Sequence, residues 1–213
     1  MHIKMLHFID HPAEDRSALP PVLIVHGLYG SARNWGIISK RLAKDRRVIA
    51  VDQRNHGDSP WYQSNSYFDM AEDLAKVIAQ VGVPMNIIGH SMGAVATLNL
   101  PNYLLESKKI ILISSPIKFF ELMFEKVEKF GISRRLLSNV IENIADTYGK
   151  STEQLSCESN RNKLSFDITF IHDRQDRYAP FDDVSDFIGK EKNTLIVTEG
   201  LGHRKILGDT RVI

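Results

Sequence analysis

The sequence predicts an α/β fold: a mostly parallel central sheet of about seven strands, flanked by helices and carrying a small helical insertion. Three observations lead there. Short apolar, β-branched runs alternate with longer amphipathic stretches, the pattern of βαβ units. Each of these runs ends at or near a loop rich in Gly, Ser, Asp or His, where α/β sheets bind ligands. The chain has 213 residues, 43% of them hydrophobic and 25% charged, which suits one domain with a sizeable core.

Six strands are expected at Pro21–Val25, Val48–Asp52, Met85–Ile88, Lys109–Ile113, Ile168–His172 and Thr194–Thr198, with an edge strand over His2–Ile9. Helical periodicity covers Trp35–Asp45 and Ser66–Val81. Ser66 and Asp69 have capping-box spacing, and Gly82, just ahead of Pro84, supplies the stop. Another helix is expected from Ser91 to Leu100, ended by Pro101, which continues a helix only by losing a hydrogen bond and clashing. From Pro116 to Ser165 the alternation breaks. Phe120, Met123, Phe124, Val127 and Phe130 recur at helical spacing, and a second helix is expected over Ile132–Tyr148 around Leu136, Val140 and Ile144. This predicts an inserted helical cap over residues 116–165 on a core of 1–115 and 166–213. Two extra core helices are the alternative, because periodicity alone does not separate packing on a sheet from covering a pocket.

Charge narrows the function. Lys and Arg number 27 against 26 Asp and Glu, with no long block of one sign, which argues against a nucleic-acid or membrane-surface binder. The longest apolar runs fall far short of the roughly 20 residues that cross a bilayer, so no membrane span is expected. The N-terminus MHIKMLHFID lacks a long apolar stretch and a small-residue cleavage site, and the single cysteine, Cys157, has no partner for a disulfide or zinc site. A cytoplasmic protein is expected.

The strongest local signal is MNIIGHSMG: an apolar strand runs into Gly89-His90-Ser91-Met92-Gly93 and then into a helix. A turn tight enough to push a serine Oγ into a pocket leaves no room for side chains at 89 and 93. The helix that begins there offers free N–H groups to a developing negative charge. Upstream, Pro21–Val25 leads into His26-Gly27-Leu28-Tyr29-Gly30-Ser31, a turn able to set the backbone N–H of Leu28 beside that of Met92 as an oxyanion hole. Serine needs a base and an orienting acid. Asp173 and Asp176 follow the strand at 168–172, and His203 follows the last strand, so the order along the chain is Ser, Asp, His. Ser91 is therefore the expected nucleophile, His203 its base and Asp176 the group that holds the imidazole.

With HGLYGS at 26–31, DQRNHGDSP at 52–60, GHSMG at 89–93, HDRQDRYAP at 172–180 and GLGHRKIL at 200–207, the chain resembles the α/β-hydrolase superfamily, and more narrowly small bacterial carboxylesterases. The resemblance covers nearly the whole sequence. It implies an α/β-hydrolase fold and cleavage of carboxylic esters, sometimes of acyl thioesters, without a cofactor. The family's acid normally sits at the fourth position of a G-x-x-D turn; here Asp173 takes the glycine position and Asp176 the acid position, which selects Asp176. The family usually ends with a longer helix than the ten residues after His203 allow, so a short or truncated terminal helix is expected; the twenty residues before the first central strand suffice for one edge strand or a tight hairpin, so fewer than the usual eight strands are expected.

The other histidines receive structural readings: His26, His56 and His90 belong to family motifs that brace loops, and His172 lies at a strand end. His7 and His11 lack the acidic or histidine neighbours that would complete a metal site. Gly149-Lys150-Ser151 mimics the end of a phosphate-binding loop, but Ile144 stands where its first glycine belongs, and no G-x-G-x-x-G follows a strand. No cofactor or metal is expected. Tyr29, Trp35, Phe119, Phe120, Met123 and Phe124 are the candidate lining of an apolar acyl pocket, ordinary core being their alternative reading. The expected partner is a small-molecule ester, of short to medium acyl chain given the small cap; oligomeric state is not legible. Ser91 excludes the carboxylate nucleophile of dehalogenases and epoxide hydrolases. Thioesterases, perhydrolases and carbon–carbon hydrolases share the triad and stay as alternatives, beside a non-catalytic binding protein of the same fold.

Overall fold

The computed structural model describes residues 5–15, 19–106, 108–189, 193–209 and 212. The apolar runs become β1 (Phe8–His11), β2 (Val22–Val25), β3 (Val48–Val51), β4 (Asn86–His90), β5 (Ile110–Ile113), β6 (Ile168–Asp173) and β7 (Thr194–Thr198). They form one seven-stranded sheet in the order β1-β3-β2-β4-β5-β6-β7. Only β1 runs antiparallel, pairing Phe8 with Val51. The other pairs are parallel, among them Val22 with both Val48 and Asn86, and Ile113 with Ile171. Of the edge strand expected over His2–Ile9, residues 1–4 lie outside the described residues, and the strand found starts at Phe8.

Every residue of β2 and β3 is buried, and alternation decides which layer each joins. Leu23, Val25, Ile49 and Val51 pack with Leu74, Val77 and Leu98 from α2 (Tyr67–Val81) and α3 (Met92–Leu98). Val22, Ile24, Val48 and Ala50 meet Trp35, Ile38 and Ile206 on the other face, beside α1 (Gly36–Leu42). Helices thus cover both faces of a sheet whose strands read as continuous apolar runs.

Local signals explain the helix ends. Ser66 caps α2, accepting the Asp69 N–H while Asp69 reaches back to it, and Gly82 closes the helix at φ 73. The stretch expected as one helix from Trp35 to Asp45 divides into a 3₁₀ turn, Ala32–Trp35, and the shorter α1. Helix α3 stops at Leu98, two residues early, where the Asn99 amide donates back to the Val95 carbonyl at 2.9 Å. Pro101 then leads into α4 (Asn102–Leu105), a position that needs no intrahelical N–H.

Between β5 and β6 lie α5 (Phe119–Lys129), α6 (Arg134–Tyr148), α7 (Thr152–Leu155) and a 3₁₀ turn, Cys157–Ser165. Gly149 ends α6 at φ 59 and Ser151 caps α7, so the Gly-Lys-Ser string is a helix stop followed by a start. The packing face of α6 differs from the expected one. Leu136 and Val140 are exposed at 58% and 47%, and Phe130, just past α5, at 83%. Leu137, Ile141, Ala145 and Leu155 are buried instead, against Phe120, Met123, Phe124 and Val127. Two adjacent rows of α6 are apolar, and the one carrying the small Ala145 faces α5.

Helix α8 (Phe181–Ile188) returns Phe187 edge-on to Phe170 of β6, ring centroids 6.2 Å apart. The chain then passes through β7 into the short α9 (Gly202–Lys205).

Candidate active site

The parallel strands end along one edge of the sheet, and the loops that follow β2, β4, β6 and β7 carry the candidate residues. At the end of β4, Ser91 adopts φ 52 and ψ −118, a region unfavourable for a side-chain-bearing residue. Its neighbours make the turn possible. A Cβ on Gly89 would lie 2.8 Å from Ala94 Cα, and one on Gly93 would press on the Val25 carbonyl and lie 2.6 Å from that of His26. Gly27 has the same constraint from the other side: a Cβ there would stand 2.8 Å from His90 Nδ1 and 3.0 Å from Ser91 Cβ. The Ser91 N–H is tied to the Ile113 carbonyl at 2.9 Å, which pins the turn to β5.

Ser91, His203 and Asp176 are brought together. His203 Nε2 lies 2.8 Å from Ser91 Oγ, and its Nδ1 lies 2.8 Å from Asp176 Oδ2. An ionised carboxylate only accepts, so Nδ1–H donates to Asp176 and Nε2 of the neutral ring is left to accept the Ser91 hydroxyl. Asp176 Oδ1 takes the N–H groups of Tyr178 and Ala179, both at 2.9 Å. Burial pushes the Asp176 carboxyl up, but the His203 ring and those two amides outweigh it and hold it below the usual carboxylate range.

Asp173 is buried too but does not reach His203. It accepts from Gln175 N–H, Thr198 Oγ and Leu201 N–H at 2.9, 2.8 and 3.0 Å, tying the loop that carries Asp176 to the loop that carries His203. Burial opposes its charge, and these donors prevail, lowering its pKa.

Four further histidines hold the frame. His26 Nδ1–H donates to the Gly27 carbonyl at 2.7 Å while Nε2 accepts the Gln53 N–H at 3.0 Å. Burial lowers its pKa to about 4, so the ring is neutral. His56 donates to the Arg54 carbonyl and accepts the Tyr29 N–H, fixing Tyr29 at φ 60 in the loop after β2. His90 donates from Nε2 to the His203 carbonyl at 2.9 Å, and burial lowers its pKa to about 4 as well. His172 donates to the Ala179 carbonyl at 2.7 Å.

Ser91 and His203 open into a cleft of about 570 Å³. Leu28 and Met92 line it, and neither of their backbone N–H groups is hydrogen-bonded among the described residues. Of the expected lining, Tyr29, Phe119 and Phe120 are present. Trp35 is not: it is 2% exposed, packed on the α1 side of the sheet and edge-on to His90 at 6.4 Å. Met123 and Phe124 are also absent from the cleft, because the helical turn of α5 points positions 119, 122 and 126 into it and 123, 124 and 127 toward α6. The structure adds Leu122, Lys126, Ile144, Leu155, Tyr178 and Arg204 to the lining. The spacing of Phe119, Leu122 and Lys126 was the available signal for that face of α5.

His7, Asp52 and Asp58 approach closely enough to suggest a cation site, but their atoms are committed. Asp52 accepts from His7, Ala32 N–H and Asp58 N–H, and Asp58 pairs with Arg33. Among the described residues no helix is long and apolar enough to cross a membrane.

The family model of the alpha/beta hydrolase fold matches residues 20–131. The chain is 44% identical over 80 residues to the mouse sn-1-specific diacylglycerol lipase ABHD11, covering 36% of this chain and 26% of that protein. It is 40% identical over 89 residues to the Escherichia coli esterase YbfF, covering 41% and 35%. The matched segments thus span about a quarter to a third of those relatives. In architecture it is similar to an esterase from Exiguobacterium antarcticum, with a TM-score of 0.68 at 20% identity over 95% of this chain and 90% of that one. A matching family model over more than half of the sequence, on a sheet of the same architecture, makes the chain a member of the α/β-hydrolase fold family.

Proposed function

We propose that this protein is a serine carboxylesterase that hydrolyses short to medium acyl esters through an acyl-enzyme on Ser91. The observation that carries the reading is the continuous hydrogen-bonded path from Ser91 Oγ through the His203 ring to Asp176. In this reading His203 Nε2 takes the hydroxyl proton as Oγ attacks the ester carbonyl, and Asp176 stabilises the imidazolium. The Leu28 and Met92 amides receive the oxyanion. As the intermediate collapses, the ester C–O bond breaks and His203 passes its proton to the departing alcohol. Water then attacks the acyl-enzyme, giving a proton to His203, which returns it to Ser91 Oγ as the acyl C–O bond breaks and the acid leaves. Nucleophile, base and anion-binding groups all come from this chain.

Residues 116–165 serve as a cap on a core of 1–115 and 166–213, with Phe119, Phe120, Leu122, Ile144 and Leu155 contacting the acyl chain. The apolar lining supports an acyl group there, and the names of the mouse and bacterial relatives are consistent with ester chemistry. Hydrolysis of p-nitrophenyl acetate, butyrate, octanoate and palmitate tests this. Turnover lost in Ser91→Ala, with butyrate and octanoate faster than palmitate, is expected. Turnover that survives Ser91→Ala overturns the nucleophile, and slow turnover of the short esters beside fast turnover of palmitate overturns the preference for short to medium chains in favour of a lipase-like one.

A further inference from the structure

The charge around the cleft is one-sided. Lys126 and Arg204 line it, and among the described residues no Asp or Glu does. Both cations are exposed, and neither forms an ion pair among the described residues. Of the three glutamates of α5, Glu121 lines a second cavity of about 490 Å³ beside Glu142, Glu153 and Glu158, Glu128 pairs with Arg134, and the exposed Glu125 acts on the same Arg134. Four acids of the insertion thus line one cavity, while Lys126 is its one charged residue lining the other among the described residues, in a chain whose net charge is only +1.

Both cations also stand in relation to His203. Arg204 adjoins His203 on α9. The Tyr178 ring stands 5.4 Å from the His203 ring, and Lys126 Nζ lies 5.3 Å from the centre of the Tyr178 ring. The aromatic and aliphatic lining contributed by Phe119, Phe120, Leu122, Ile144 and Leu155 carries no charge. Chemistry orients a substrate in such a cleft: the group that donates a proton to the departing alcohol must touch that alcohol, so the alcohol part lies against His203. Tyr178, Arg204 and Lys126 are then its neighbours.

We infer that the preferred substrate is an ester whose alcohol part bears an anionic group, a carboxylate or a phosphate, held between Lys126 and Arg204. This rests on the serine-esterase reading above. Exposed charges contribute modestly and are screened by salt, so the effect is a preference rather than a requirement.

The test compares 3-(butyryloxy)-4-nitrobenzoate with its uncharged benzamide analogue, which share the acyl group and the nitrophenol leaving group. At low ionic strength the carboxylate should be favoured by about tenfold in kcat/KM, with the ratio falling toward one in about 1 M NaCl. Lys126→Ala and Arg204→Ala should each cut the ratio by about threefold. Equal rates for the two substrates at low salt, or variants that slow both in parallel, overturn the inference. Titration calorimetry of the products, 3-hydroxy-4-nitrobenzoate and its amide, on Ser91→Ala separates the two readings. Tighter binding of the anion that is lost in Lys126→Ala/Ser91→Ala supports the anion site even where hydrolysis is absent. Equal binding of both products overturns the site while leaving the esterase reading intact.

Discussion

Asp176 Oδ2 meets His203 Nδ1 at 2.8 Å, while Asp173, three residues earlier, hydrogen-bonds to no histidine among the described residues and instead joins the two loops that make this contact. Two buried carboxylates so close in sequence thus do separable work. Asp176→Asn should lower kcat by about 10³- to 10⁴-fold, because an amide no longer fixes the tautomer that accepts the Ser91 proton. Asp173→Asn should cost about 1–3 kcal/mol of stability, since it weakens bonds from three donors, that from Thr198 buried and the other two partly so. Steady-state kinetics and urea unfolding of both variants check this; a larger kcat loss in Asp173→Asn with unchanged stability would reverse the roles.

Acid should destabilise the fold before the carboxylates titrate. His26 and His90 have folded pKa values of about 4 against 6.5 in the unfolded chain, so the unfolded state binds more protons between those values and stability falls as pH drops through that window. Each histidine then costs about 2 kcal/mol between pH 7 and pH 5. Urea unfolding at the two pH values should show it, and His26→Gln should reduce the difference. A midpoint unchanged between pH 7 and pH 5 would contradict the buried, neutral assignment.

The glycines of the elbow should behave unlike those of exposed turns. Gly93→Ala sets a methyl against two backbone carbonyls and should cost more than about 3 kcal/mol, or abolish folding. Gly149→Ala meets nothing within 4 Å and should cost only the left-handed penalty of about 1–2 kcal/mol. Thermal unfolding of the pair ranks them.

Two aromatic substitutions separate core from cleft. Trp35→Ala should lose about 3–5 kcal/mol while leaving the ratio of butyrate to octanoate turnover unchanged. Phe119 lines the cleft edge-on to Tyr67 at 5.9 Å, and Phe119→Ala should shift that ratio toward the longer chain. A chain-length change in Trp35→Ala would place its side chain back in the binding site.

The central strands were legible because parallel strands buried on both faces, such as β2 and β3, read as apolar runs, and the elbow because its glycines are dictated locally by backbone contact. Ser91, Asp176 and His203 each sit just past such a run, so their convergence follows from the sheet's topology. What stayed hidden depends on tertiary contact. Leu136–Val140 and Leu137–Ile141 are equally apolar rows, and only the approach of α5 chooses between them. Trp35 looks like pocket lining beside the Leu28 loop, yet the short 3₁₀ turn swings it into the core. Lys126, Tyr178 and Arg204 come from three separate segments, and no local pattern announces that they line one cleft.

The most direct test of the account is intact-protein and peptide mass spectrometry after fluorophosphonate treatment. The wild-type protein should gain one phosphonyl group on the peptide containing Ser91, and both Ser91→Ala and denatured protein should gain none. A folded wild-type protein left unlabelled, or labelled on another serine, would contradict the assignment of Ser91 as the activated nucleophile.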